Sequence, residues 1–214
     1  MNILVIGMGY FGESLALELA QLGHEILGVD SEMEVVQRNA PHLTSAVQMD
    51  ATNLDALRTL DIPSFDTCIV GRGSDLEESV LITLNLLELK ARHVIAKALT
   101  DQQAKILSRI GADQIVLPER HMGKRLAHML GRTSQTLDYM NIEGDYNVEE
   151  VTAPKDWWDH SLRELNLPKR CDVQVLLVKS GDFFEALPSG DTVIHEGDVL
   201  VLFGRDPSLC SFNA

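Results

Sequence analysis

The sequence predicts an α/β protein: a doubly wound, parallel Rossmann-like sheet followed by a small α+β C-terminal domain. Three observations predict it. Short runs rich in Val, Ile and Leu alternate with helical stretches from the N-terminus to Leu117. The first run leads into Gly7, Gly9 and Gly12, spaced GxGxxG at the opening of a helix. Past Leu117 the alternation stops, and short strands separated by Gly-Asp turns take over.

Strands are expected at Ile3–Ile6, Glu25–Val29, Thr44–Gln48, Thr67–Val70, His93–Ala96 and Gln114–Leu117. Each is apolar enough to be buried on both faces. In the first helix Phe11, Leu15, Leu19 and Leu22 share one face, and Gly23 suits its C-terminal end. Leu76, Val80, Leu84 and Leu87 form a similar stripe. Strands joined by helical crossovers imply the order 3-2-1-4-5-6. Pro118 can begin a linking helix, with Glu119 favoured by the dipole just after it. Met122, Leu126, Met129 and Leu130 make an apolar stripe along that helix. Residues 131–136 read as a connector. Beyond it, turns are expected at Glu143-Gly144-Asp145, Lys179–Asp182, Ser189-Gly190-Asp191 and Glu196-Gly197-Asp198, with Val173–Val178 and Val199–Phe203 the clearest strands. The expected division is therefore 1–118 for the nucleotide-binding domain, 119–136 for the linking helix and connector, and 137–214 for the β-rich domain.

Composition is that of an ordinary soluble protein, 45% hydrophobic and 23% charged. No apolar run approaches the roughly 18 residues of a membrane span. The N-terminal run lacks a basic start, so no signal peptide is expected. Cys68, Cys171 and Cys210 form no CxxC pair, so neither a disulfide framework nor a zinc site is expected, as in a reducing cytoplasm. The net charge of −14 repels nucleic acid and anionic lipid, which argues against a nucleic-acid partner and against direct membrane insertion.

The glycine loop carries the chemistry. Gly7 permits the tight turn, Gly9 lets a phosphate approach the backbone, and Gly12 lets the helix pack closely on the strand. The exposed N–H groups and the helix dipole favour an anion. Asp30, ending the second strand, can accept hydrogen bonds from both ribose hydroxyls and would repel a 2′-phosphate. Tyr10 and Phe11 in the loop and Ser31 beside Asp30 join the candidate contacts. Asp50, Ala51 and Thr52 follow the third strand and can meet the adenine edge. Gly71, Arg72 and Gly73 follow the fourth strand across the topological switch point. The two glycines would keep that wall low, and Arg72 could contact phosphate charge. A dehydrogenase would also need a proton-transferring side chain and a substrate pocket. No Tyr-x-x-x-Lys pair, Gly-x-Ser-x-Gly or Gly-Lys-Ser/Thr motif is present, and the seven histidines are scattered. A nucleotide cradle without such chemistry favours a sensor over an enzyme.

Several stretches carry a resemblance: VIGMGYFGESLALELAQLGHEILGVD, MDAT at 49–52, VIAKA at 94–98, IGADQIVLPERHMGKRLA at 110–127 and SGDTVIHEGDVLVLFG at 189–204. By these the chain resembles the RCK (KTN) proteins of the KtrA/TrkA kind, cytosolic regulatory subunits of bacterial potassium uptake. The resemblance implies a first domain that binds ATP, ADP or NAD(H), homodimers assembled into an octameric ring, and a membrane-embedded potassium transporter subunit as partner. The protein would then be cytoplasmic, peripheral to the inner face of the membrane. By position, Gly7, Gly9, Gly12, Asp30, Asp50, Ala51 and Thr52 become nucleotide contacts. Lys97 and Glu119 fall near the phosphates, and a divalent cation would sit by Glu119. One departure stands out: KtrA-type members often carry arginine after the second loop glycine, where this chain has Tyr10. Arg72 could supply that cation from across the crevice. Two other readings stay open, an NAD-dependent oxidoreductase and a free-standing nucleotide sensor with another partner.

Overall fold

The computed structural model describes residues 1–73, 75–131, 136–143 and 146–205, with the main chain alone at Glu143. Ser74, the connector at 132–135, the Gly144-Asp145 step of one expected turn, and Cys210 lie outside the described residues. The chain divides into two compact units, Met1–His121 and Met122–Ala214.

In the first unit, β1 (Asn2–Ile6), β2 (Glu25–Asp30), β3 (Ser45–Gln48), β4 (Thr67–Val70), β5 (Val94–Lys97) and β6 (Gln114–Val116) form a parallel sheet. The strand order is β3-β2-β1-β4-β5-β6, as expected. The helices are α1 (Tyr10–Gln21), α2 (Met33–Asn39), α3 (Leu54–Leu57), α4 (Leu76–Glu88) and α5 (Asp101–Ile110). Strand β1 shows why a central parallel strand must be apolar throughout. Leu4 and Ile6 enter one core cluster and Ile3 and Val5 the other, and all four are buried.

Two helical stripes match expectation only in part: Leu15 and Leu19 of α1 and Val80 and Leu87 of α4 pack against the core, but the most buried positions are others. In α1 the buried positions are Gly12 and Ala16, while Leu22 is exposed. The helix lies so close to the sheet that small residues take its inner face. In α4 the inner face is Ser79, Ile82, Thr83 and Leu86, and Leu84 is exposed. Periodicity missed this because hydroxyls can be buried when they bond locally. Thr83 Oγ1 donates to the Ser79 carbonyl at 2.7 Å, and Ser79 Oγ donates to the Asp75 carbonyl at 2.8 Å. The end of α1 is as expected: Gly23 has a φ of +84°, donates its N–H to the Ala20 carbonyl, and His24 donates to that of Leu19.

Helix α6 (Pro118–Gly131) begins in the first unit and continues into the second. The second unit then contains β7 (Thr136–Glu143), β8 (Tyr146–Thr152), α7 (Leu162–Leu165), α8 (Leu167–Cys171), β9 (Val173–Ser180), β10 (Phe183–Ala186) and β11 (Val199–Arg205). Its strands form an antiparallel sheet in the order β10-β9-β11-β8-β7. Trp157 is buried among Val151, Leu165, Val175 and Leu200, and Trp158 Nε1 donates to the Ala153 carbonyl at 3.0 Å. Cys68 is a free thiol, and burial pushes its pKa up to about 12.

Candidate functional site: a cleft at the carboxyl edge of the parallel sheet

The cleft follows from three strand ends meeting one glycine turn. Gly7 leaves β1 with a φ of +85°, where an L side chain is strained, and an added Cβ would stand 3.0 Å from Arg72. Its N–H donates to the Val29 carbonyl at 2.8 Å. A Cβ on Gly12 would lie 2.0 Å from the Gly7 carbonyl oxygen, so only glycine allows α1 to begin there. Around Gly9 the opposite holds, since nothing stands within 4 Å of the position its Cβ would take. Gly9 caps α1 with no side-chain hydrogen bond, whereas α4 and α5 are capped by Asp75 and Thr100. The first-turn N–H groups of α1 therefore have no side-chain cap beside that open space.

Asp30 is buried, and both its carboxylate oxygens are engaged. Oδ2 accepts the Met8 N–H at 2.7 Å and Oδ1 the Glu32 N–H at 3.0 Å. The acid thus pins the glycine turn to the end of β2. Each oxygen keeps a further lone pair for a hydroxyl donor. Past β3, Asp50 Oδ1 accepts the Thr52 hydroxyl at 2.7 Å and its N–H at 3.0 Å. Those bonds, helped by the Arg72 charge, hold the Asp50 carboxyl below its usual range. Asn85 of α4 fastens this loop, donating to the Thr52 carbonyl at 2.8 Å.

Together these ends enclose a cavity of about 480 Å³ lined by Gly7, Asp30, Ser31, Asp50, Ala51, Thr52 and Arg72 of the expected set. Asp75, at the end of the stretch after the fourth strand that was expected to line the crevice, does line it, and so do Met49, Glu77, Glu78 and Leu81, which were not foreseen. The pattern Asp75-x-x-Glu78 before an apolar run does signal a helix start. Nothing local says that Glu78 faces a cleft. Arg72 ion-pairs through Nε with Glu78 and donates from Nη1 to Ser31 Oγ at 3.3 Å. Its guanidinium is thereby held on the Ser31 side of Asp30.

The remaining expected residues fall outside the cavity. Tyr10 is almost fully exposed at the start of α1, and Gly9, Phe11 and Gly12 belong to the same turn without lining the cavity. Gly71 packs against the glycine turn, where an added Cβ would stand 2.7 Å from the Gly7 carbonyl oxygen. Gly73 makes room for the Lys97 stem, 3.3 Å from where its Cβ would be. Lys97 is nearly buried, lies over the Phe11 ring at 5.5 Å and ion-pairs with Glu119 at 2.6 Å. That ammonium holds the Glu119 carboxyl below its usual range. Glu119 by itself does not make an all-protein cation site. The carboxylate already faces an ammonium, and among the described residues no group of three or more His, Cys, Asp or Glu could hold a metal ion.

Fold and cleft together define a Rossmann-type domain with its crevice at the switch point of the sheet, joined to a separate antiparallel domain. The chain belongs to the TrkA-N domain family: that family matches residues 3–118, and the TrkA-C domain matches residues 148–212. This is the RCK family expected from the sequence motifs. Ktr system potassium uptake protein C of Bacillus subtilis is 33% identical, over 97% of this chain and 94% of its own length. Ktr system potassium uptake protein A of the same organism is 34% identical over 97% and 93%. Among solved structures, the GsuK channel superposes with a TM-score of 0.69 at 19% identity, over 98% of this chain and 38% of the channel chain. The GsuK channel bound to NAD gives 0.66 at 18% identity, covering 97% and 38%. GsuK bound to ADP gives 0.53 at 18% identity, covering 62% and 34%. At such identities these structures speak for the fold.

Proposed function

We propose that this chain is a cytoplasmic regulatory subunit of a potassium uptake system, that it senses ATP, ADP or NAD(H), and that it acts by changing conformation rather than by catalysis. The observation that carries this reading is the pairing of a carboxylate, Asp30, with the helix start of α1 that no side chain caps, across an open cleft. A purine nucleotide would set its ribose hydroxyls on Asp30 beside Ser31. Its base would lie along Asp50, Ala51 and Thr52. Its phosphates would rest on Gly7, Gly9 and the N–H groups of Tyr10, Phe11 and Gly12, with Gly71, Arg72 and Gly73 forming the facing wall. Lys97 lies over the Phe11 ring, beside that turn. Support comes from the Ktr proteins, named for potassium uptake, and from GsuK, whose fold is shared and which has been solved with NAD and with ADP.

Ligands can gate only if they bind two states of the assembly with different affinity. The exposed stripe of Met122, Leu126 and Leu130 on α6 would pack on a second copy. Dimers would build a ring against a membrane-embedded transporter subunit. No helix among the described residues is long and apolar enough to cross a membrane, so membrane attachment would come through that partner.

Calorimetric titration with ATP, ADP, NADH and NAD, with and without magnesium, tests the reading alongside the particle mass. At least one nucleotide is expected to bind, and Asp30→Ala to abolish binding. Loss of the Met8 acceptor should also destabilise that variant, by about 1–3 kcal/mol. A wild-type protein that binds none of the four would overturn the proposal.

A further inference from the structure

The cleft is poor in cations. Of the described residues lining it, Arg72 is the one basic side chain, against Asp30, Asp50, Asp75, Glu77 and Glu78. These acids are not equivalent. Asp30 is spent on two backbone N–H groups, Asp50 on Thr52, and Asp75 on the Glu77 and Glu78 N–H groups. Glu78 alone is ion-paired with Arg72. Both side chains are about one-third exposed, at 34% and 35%, and so have room to move. The Arg72 main chain does not. Its carbonyl accepts the Ser79 hydroxyl, and its N and Cβ sit against the Gly7 turn. With its backbone fixed, Arg72 is a short arm whose guanidinium pairs with Glu78 through Nε and reaches Ser31 through Nη1.

We propose that Glu78 is a specificity-determining residue for this cleft: it holds Arg72 in an internal pair that an entering nucleotide must break, and so lowers affinity for phosphate-bearing ligands. The proposal rests on the nucleotide-binding reading above. The physical reason is competition for one charge. When Arg72 turns to a phosphate, the Glu78 carboxylate loses its counter-ion and stays within reach of the ligand's negative charge. A ligand without that charge gains nothing from releasing the arm. Removing the carboxylate while keeping its shape frees Arg72 at no such cost.

The experiment titrates ADP and ATP into wild type, Glu78→Gln, Glu77→Gln, Arg72→Gln and the double variant Arg72→Gln with Glu78→Gln, with thermal melts to confirm folding. Glu78→Gln is expected to bind ADP about tenfold more tightly than wild type, the scale of a well-placed charge pair. Glu77→Gln lines the same cavity without pairing to Arg72, and should change affinity far less. In the Arg72→Gln background the gain from Glu78→Gln should shrink to the small general charge effect that Glu77→Gln shows. Unchanged or weaker binding by Glu78→Gln would overturn the proposal while leaving the nucleotide reading intact. Equal gains in both glutamate variants would do the same, because they would show a general charge effect. If neither wild type nor any variant bound nucleotide, both readings would fall.

Discussion

A methyl group on Gly12 would stand 2.0 Å from the Gly7 carbonyl oxygen, inside any permitted contact. Gly12→Ala must therefore push α1 away from β1. Overpacking of this kind typically costs about 1–3 kcal/mol, and a urea denaturation curve should show it. Nucleotide affinity should fall with it, since the N–H groups of the first turn move too. An unchanged midpoint would contradict the close approach. Glu119 gives a pH test at the same scale. Its folded pKa lies below the ordinary 4.5 because the Lys97 ammonium hydrogen-bonds it. The pair therefore stabilises the folded chain above that value, and the contribution disappears as pH falls through the lowered folded pKa. Glu119 is 57% exposed and well screened, so the effect should not exceed about 1 kcal/mol. Wild type and Glu119→Gln should differ in melting temperature at neutral pH and converge as the pH falls below the lowered folded pKa. A gap that widened toward acid would reverse the assignment. The residue types of this site were readable beforehand, because glycine at a positive φ and an acid ending a strand are local requirements. Their partners were not: Asp30 was legible as an acid ending β2, but not as the acceptor that fixes Met8.

At the scale of elements, α4 does more than cross between strands. Its cap Asp75, its second- and third-position acids Glu77 and Glu78, and Asn85 all serve the cleft. Removing the cap by Asp75→Ala should cost about 1 kcal/mol, measured in chemical denaturation. It should also loosen the Arg72–Glu78 pair, since Glu78 lies in the first turn. Stability equal to wild type would mean that the two N–H groups find other acceptors. Strand positions were legible because a parallel sheet covered by helices demands continuous apolar runs. The helix faces were read less well. Ser79 and Thr83 take the inner face of α4 with their hydroxyls bonded to nearby carbonyls, which displaces Leu84 to solvent. A hydropathy stripe has no way to register that.

For the whole molecule, α6 carries the test of assembly. Leu126 and Leu130 are 50% and 77% exposed, which is costly for a lone chain in water. If the stripe packs on another copy, Leu126→Glu with Leu130→Glu should lower the particle mass seen by sedimentation, with each unit still folded by circular dichroism. A mass equal to that of wild type would place the contact elsewhere.

Order along the chain, the parallel sheet with its strand sequence, the glycine turn and the acid facing it were settled by the amino-acid sequence alone. Each depends on steric rules and periodicities that act over a few residues. Only the tertiary structure decided that Arg72 is latched by Glu78, that Lys97 is turned to Glu119, and that Asn85 secures the loop after β3. The last two join segments far apart in sequence, and the first ties a loop to the helix that follows it. They depend on which rotamers the packed sheet leaves open, and on charges whose distances exist only once the strands are side by side.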